Sequence, residues 1–288
     1  MSVSPDLRRL LWELRRRLPE HTLTARTRHG VLSFSSRDAA VGRRLFTHRA
    51  FEYDKLEKAI ALLRADVPER MAAPWLVDVG ANVGTVCIPL VRDRVFARAL
   101  ALEPEPRNHA YLVRNVRANG LDAAITMLNA GLSSTTGAMT LELAFDNFGD
   151  HRIRVGVPTT SHPACREQDR AVIEVPVHRL DDLLPARGLT ADDVAVLWID
   201  VQGHEHHVLD GAEGVVASGV PVVTEFWPYA LARAGREPAA YVELLRERFR
   251  WFYDLEAAVP ARCPTTDAKM LLERSRADTA FTDLVLIP

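Results

Sequence analysis

A chain of 288 residues can bury a substantial core, as one large domain or two small ones. Hydrophobic content of 48%, 26% charged residues and a formal net charge of −2 suit a globular chain and give no global basic field for nucleic acid. Cys87, Cys165 and Cys263 are too dispersed for a disulfide framework or a Cys-x-x-Cys zinc pair, and no apolar run reaches the ~18 residues of a membrane span, so a cytoplasmic location is expected.

Near the N-terminus, "LRRLLWELRRRL" alternates charge with leucine, unlike a signal peptide. Leu7, Leu10, Leu11, Leu14 and Leu18 share one helical face, which predicts a helix docked on the main domain or on the second subunit of a homodimer. A membrane-surface or nucleic-acid helix is the alternative. "GVLSFSS" (30–36) reads as a strand and residues 51–66 as a helix. From Pro74 onward, strands alternate with amphipathic helices. "WLVDV" (75–79) is a strand, "GTVCIPLVRD" starts a helix, and "ALALEP" (99–104) is the second strand. A helix over 106–120 ends on Gly120, and "ITMLNAG" (125–131) is the third strand. "VAVLWIDV" (194–201) and "PVVTEF" (221–226) flank another helix, while "RWFYDLE" (250–256) and "FTDLVLIP" (281–288) suit a closing antiparallel pair.

This pattern predicts an α/β fold with a doubly wound, seven-stranded, mostly parallel Rossmann-like sheet. Residues 1–70 form an N-terminal helical and strand extension, and 71–288 the main domain. A β-hairpin insertion is expected over about 138–180, where "AMTLELAF" and "AVIEVPVHRL" flank a polar loop.

In such sheets ligands sit at the carboxyl ends of the strands. The first end runs from Asp78 through Gly80, Asn82 and Gly84 to Thr85, and the second strand ends at Glu103, nineteen residues beyond Gly84. A carboxylate at Glu103 can accept both hydroxyls of a ribose. A dinucleotide fingerprint would have a glycine in place of Ala81-Asn82. Asp78 would repel a pyrophosphate but suits the cationic amino-acid end of S-adenosylmethionine, which is therefore the expected cofactor. Asn129 and Ala130, ending the third strand, are expected beside the adenine.

From Phe51 to about Trp227 the order of motifs resembles the FkbM family of S-adenosylmethionine-dependent class I methyltransferases. The matching pieces include "EYDKLE", "VDVGANVGTV", "ALEPEPRNHAYLVRNVRANGL", "VPVHRLDDLL", "LWIDVQGHEHHVLDGA" and "VVTEF". The resemblance implies O-methylation of a sugar, polyketide or other small metabolite, typically in bacterial natural-product or glycan biosynthesis. It places the cofactor loop on Asp78, Gly80, Asn82 and Gly84 and the ribose acid on Glu103. The family usually carries Glu where Gln202 stands, which puts any charged role at that position in doubt. N-methylation of a related molecule and a non-catalytic S-adenosylmethionine-binding partner subunit are the alternatives.

Methyl transfer to a hydroxyl needs alignment and a base for the proton. Asp200 and Glu225 end the fourth and fifth strands, and His204 and Glu205 begin the next helix, so these four are the catalytic candidates. His204 titrates nearest neutral pH. Asp200 and Glu205 could instead serve the helix N-terminus. The spacing His204-Glu205-His206-His207 lacks the zinc-protease pattern, so no metal is expected, and His206 and His207 are assigned to a solvated face. Tyr53 and the insertion residues Asn147, Asp150, His151 and Arg152 are candidates for the acceptor.

Overall fold

Alternate residues of the central strands enter two different apolar cores, because both faces of the sheet are covered. Leu76 and Val196 pack on one side, Val77 and Leu197 on the other. The computed structural model describes residues 4–156, 162–274 and 280–288. Residues 157–161 of the expected insertion lie outside the described residues.

The chain begins with helix α1 (Pro5–Arg16), the hairpin β1 (Thr22–Thr27) and β2 (Gly30–Ser35), and helices α2 (Val41–Thr47) and α3 (Tyr53–Asp66). The first parallel units are β3 (Trp75–Val79), α4 (Cys87–Arg92), β4 (Arg98–Leu102), α5 (Pro106–Ala118) and β5 (Ile125–Leu128). Strands β6 (Gly131–Leu132), β7 (Gly137–Leu143), β8 (Arg152–Ile153) and β9 (Ala171–His178) precede α6 (Leu180–Ala186) and β10 (Val194–Ile199). Next are α7 (Glu205–Asp210), α8 (Glu213–Ala217), β11 (Val222–Phe226), α9 (Pro228–Arg233) and α10 (Pro238–Arg248). The chain closes with β12 (Trp251–Asp254), β13 (Cys263–Pro264), α11 (Lys269–Arg274) and β14 (Thr282–Ile287).

The main sheet has the order β13-β12-β14-β11-β10-β3-β4-β5. Strands β11, β10, β3, β4 and β5 are parallel, and β14 runs antiparallel between β11 and β12. The sheet has eight strands rather than the expected seven. The addition is β13, a two-residue edge rung too short to leave a hydropathy pattern. The order reverses between β3 and β10, so their carboxyl ends border the natural crevice.

The insertion exceeds the expected hairpin. Its second sheet has the order β6-β9-β7-β8, with β7 and β9 antiparallel. The third main strand is correspondingly shorter than 125–131. After Leu128 the Asn129 amide donates to the carbonyls of Glu103 and Pro104, and Gly131–Leu132 then pair with β9. The single helix expected after β10 is two. Gly211 separates them and rests on the Ser133 carbonyl, where a Cβ would come within 2.0 Å.

The N-terminal segment shares a core with the main sheet: Trp12, Leu32, Phe34 and Leu63 join the cluster that contains Leu76 and Val196. Among the described residues, no strand pairs with the second edge of β2 in its hairpin. Two asparagines one turn apart on α5 and its C-terminus satisfy that edge. Asn115 accepts from the Ser33 amide at 2.6 Å and donates to the Ser33 carbonyl at 3.0 Å. Asn119 does the same for Val31, at 3.0 and 2.9 Å. The rise of one helical turn nearly matches the two-residue repeat of a strand, so i, i+4 on the helix meets i, i+2 on the hairpin. Asn115 also donates to the Val83 carbonyl at 2.8 Å, inside the glycine loop. Asn115→Ala would leave buried backbone groups unpaired and is expected to lower stability by about 2–4 kcal/mol, read from urea unfolding. Asn119→Ala, at a half-exposed position, should cost less, and equal losses would argue against this ordering.

Candidate functional site

A cavity of about 480 Å³ opens at the carboxyl ends of β3, β4, β10 and β11. On one side it is lined by Asp78, Gly80, Asn82, Thr85 and Glu103, and on the other by Asp200, Gln202 and Glu225. The insertion contributes Asn147, Asp150 and His151.

The glycine loop is shaped by close packing. Gly80 has φ 85°, and a Cβ on it would lie 1.9 Å from the Asp200 carbonyl oxygen. Its amide and that of Ala81 both donate to the Leu102 carbonyl at 2.9 Å, which holds the loop against β4. Asn82 also adopts a left-handed conformation, with φ 50°. Gly84 does not line the cavity. Its φ of 93° permits the turn into α4, and a Cβ there would meet Ile88 at 2.5 Å.

Asp78 is buried, and its Oδ2 accepts the Cys87 amide at 3.0 Å, at the start of α4. Burial pushes its pKa up to about 6. The Glu103 carboxylate accepts the amides of Asn82 and Glu105, each at 2.9 Å. Burial outweighs those two donors and raises Glu103 to about 8. The buried Oδ1 of Asn82 has no hydrogen-bond partner among the described residues.

The opposite wall is a bridged carboxylate pair. Gln202 Nε2 donates to Asp200 Oδ1 at 2.6 Å and to Glu225 Oε2 at 3.3 Å. Gln202 has φ 55°. Asp200 is open to the cavity space but enclosed by protein behind it, and this desolvation lifts its pKa to about 6. Desolvation, followed by the nearby charge of Asp200, raises Glu225 well above the ordinary carboxylate range. Burial raises both members, so the pair as a unit holds a proton more tightly than two ordinary carboxyl groups would.

The insertion overhangs the glycine loop. The Phe148 carbonyl accepts Asn108 Nδ2 at 2.8 Å and Asn82 Nδ2 at 3.4 Å. Asn147 Oδ1 accepts the Gly149 amide. His151 accepts the Ala144 amide on Nδ1, and burial with Arg170 and Arg107 nearby lowers its pKa to about 4, so it is neutral. Asp150 faces the cavity, but its carboxylate pairs with Arg152 and Arg170.

Several expected site residues lie elsewhere. His204 is buried, pairs through Nε2 with Ser133 Oγ at 3.0 Å, and does not line the cavity. Desolvation and the neighbouring His207 and His206 hold its pKa well below the usual histidine range. Glu205 folds back to accept the amides of Gly203 and Val201, at 3.1 and 3.3 Å. It braces the turn instead of facing the cavity. His206 is buried rather than solvated. Asn129 and Ala130 follow β5 and do not line the cavity, although the next residues, Gly131 and Leu132, do; the Asn129 side chain is bound to backbone carbonyls. Tyr53 lies outside as well, stacked under Arg28 at 4.1 Å. Arg152 is withdrawn into ion pairs with Asp150 and Glu167, its guanidinium 4.6 Å from the Trp227 ring centre.

Sequence reasoning missed Gln202, whose bridge requires the fold to juxtapose the ends of β10 and β11. It also missed Asn108, on α5, and Glu52, the residue that caps the start of α3; both line the cavity from outside the strand-end pattern. The Gln202-Gly203 pair, both at positive φ, offered one signal for a sharp reversal after the strand. Gly80→Ala would force either the loop or β10 to shift. It is expected to lower stability by roughly 2–4 kcal/mol in chemical denaturation. An unchanged midpoint would contradict the close contact.

The sequence matches the model of the methyltransferase FkbM domain over residues 78–248. It is 28% identical over 221 residues to methyltransferase sdnD of Sordaria araneosa, spanning 68% of this chain and 84% of that protein. Solved structures with looser likeness include geranyl diphosphate methyltransferase in complex with GPP and sinefungin (12% identity, TM-score 0.41, 85% of this chain and 81% of that chain). Another is the B. subtilis M1A22 tRNA methyltransferase TrmK (9% identity, TM-score 0.38, 81% of this chain and 64% of that chain). The family match covers more than half of the chain and frames the strand ends that carry the cavity. The chain belongs to the FkbM methyltransferases and is an S-adenosylmethionine-dependent enzyme.

Proposed function

We propose that the protein is an O-methyltransferase acting on a hydroxyl of a small metabolite, sugar or natural product, with residues 71–288 as its catalytic unit. The observation that carries this reading is the Asp200–Gln202–Glu225 bridge on the cavity wall opposite Asp78 and Glu103. S-adenosylmethionine, when bound, supplies an electrophilic methyl group on a sulfonium centre. Asp78 suits its ammonium group, Glu103 its ribose hydroxyls, and the unpartnered Asn82 Oδ1 accepts a further donor. Gly80 and Thr85 shape the same wall.

The acceptor's proton needs a base within the cavity, and His204 is walled off from it. Asp200 takes that role. Its raised pKa improves its match to a hydroxyl proton while leaving it ionised at neutral pH. Gln202 holds the carboxylate in position by donating to it. Asn147 and His151 line the insertion side and bound the acceptor space. The acidic wall also includes Glu52 and is flanked by Trp198 and Trp227, which favours an amine acceptor as the second reading.

Asp200→Asn is expected to reduce kcat by about 10²–10⁴-fold while calorimetric affinity for S-adenosylmethionine stays within about fivefold. Retained turnover would remove Asp200 as the base. The raised pKa places half-protonation of Asp200 near pH 6. The kcat should therefore be level above that point and fall as pH drops through it, approaching about tenfold per pH unit. Mass-spectrometric product analysis with hydroxyl and amine acceptors separates the two readings.

A further inference from the structure

The structure assigns the outward face of α1 to an anionic lipid surface, which the protein meets as a peripheral, not a spanning, partner. Helix α1 is attached to the protein through Trp12, which is 0% exposed and packs 5.7 Å from Phe46. At 100° per residue the leucines fall on the opposite side. Leu7, Leu10, Leu14 and Leu18 are 48%, 58%, 51% and 53% exposed. The helix thus docks on the main domain through Trp12, while the leucine stripe expected to meet the main domain or a second subunit points away from the core.

Charge selects the occupant. The first fifty residues hold eleven arginines and no lysine against two aspartates and two glutamates, a net of +7 in a chain whose total is −2. Arg8 and Arg15 flank one border of the leucine stripe and Arg17 the other. A second copy would bring two such basic segments together, whereas anionic headgroups complement them. A leucine face bordered by arginines on a helix rich in charge is the composition of an interfacial helix. No helix among the described residues is long and apolar enough to cross a membrane, so attachment is at the surface.

The test is flotation of the full chain with phosphatidylcholine vesicles, with and without phosphatidylglycerol. Flotation is expected only with the anionic lipid, and should weaken as salt rises from about 0.1 to about 0.5 M. The double variant Leu10→Glu, Leu14→Glu should reduce partitioning at least about tenfold while keeping its circular dichroism and S-adenosylmethionine affinity. Either no wild-type flotation or undiminished flotation of the folded variant overturns the proposal. A wild-type dimer in light scattering that the double variant dissociates, without flotation, overturns it in favour of a second copy. Cofactor affinity is read separately, so failure here is distinguishable from failure of the proposed activity.

Discussion

The Asn115 side chain joins three segments that are distant in sequence. Its amide closes the open edge of β2 at Ser33 and reaches the Val83 carbonyl in the glycine loop. A buried amide can satisfy that many backbone groups only if α5, the hairpin and the loop hold one arrangement. His29 adds a second tie, pairing with the Thr85 carbonyl through Nδ1 and accepting the Phe51 amide on Nε2. The N-terminal segment is thus fastened to the cofactor end of the sheet by polar contacts as well as by the shared apolar core.

Burial sets the electrostatics of the cavity. Asp78, Glu103, Asp200 and Glu225 all have raised pKa values, with desolvation the leading cause. A cationic ligand entering such a space would favour their charged forms, partly reversing the cost of burial. In the insertion the acids are instead neutralised by arginines: Glu142 accepts two bonds from Arg233, and Asp150 pairs with Arg152 and Arg170. The contrast distinguishes carboxylates paired with arginines in the overhanging sheet from those at the strand ends that have no arginine partner among the described residues.

Much of this division follows local pattern. Continuous apolar strands ending in Asp78, Glu103, Asp200 and Glu225 mark strand ends, and parallel order brings such ends together. The direction of the chain immediately after β10 was less legible. The left-handed Gln202 and Gly203 reverse it, turning His204 toward Ser133 and Glu205 back onto the turn. His204, expected at the site, and His206, expected on a solvated face, are therefore both buried, with His207 half-buried beside them. The two-residue strands β6, β8 and β13 escaped because they are too short to show a period.

Gly80 has an implication for how this enzyme can be recombined with its relatives. Its bare Cα rests on the Asp200 carbonyl, so the loop after β3 and the turn after β10 share a single steric boundary. A chimera that imports one of these segments inherits a contact surface shaped by the other. Segments exchanged together preserve the fit, whereas segments exchanged singly preserve it only if both the glycine and the path of its neighbour are retained. The two motifs, more than a hundred residues apart, constitute one module for protein engineering.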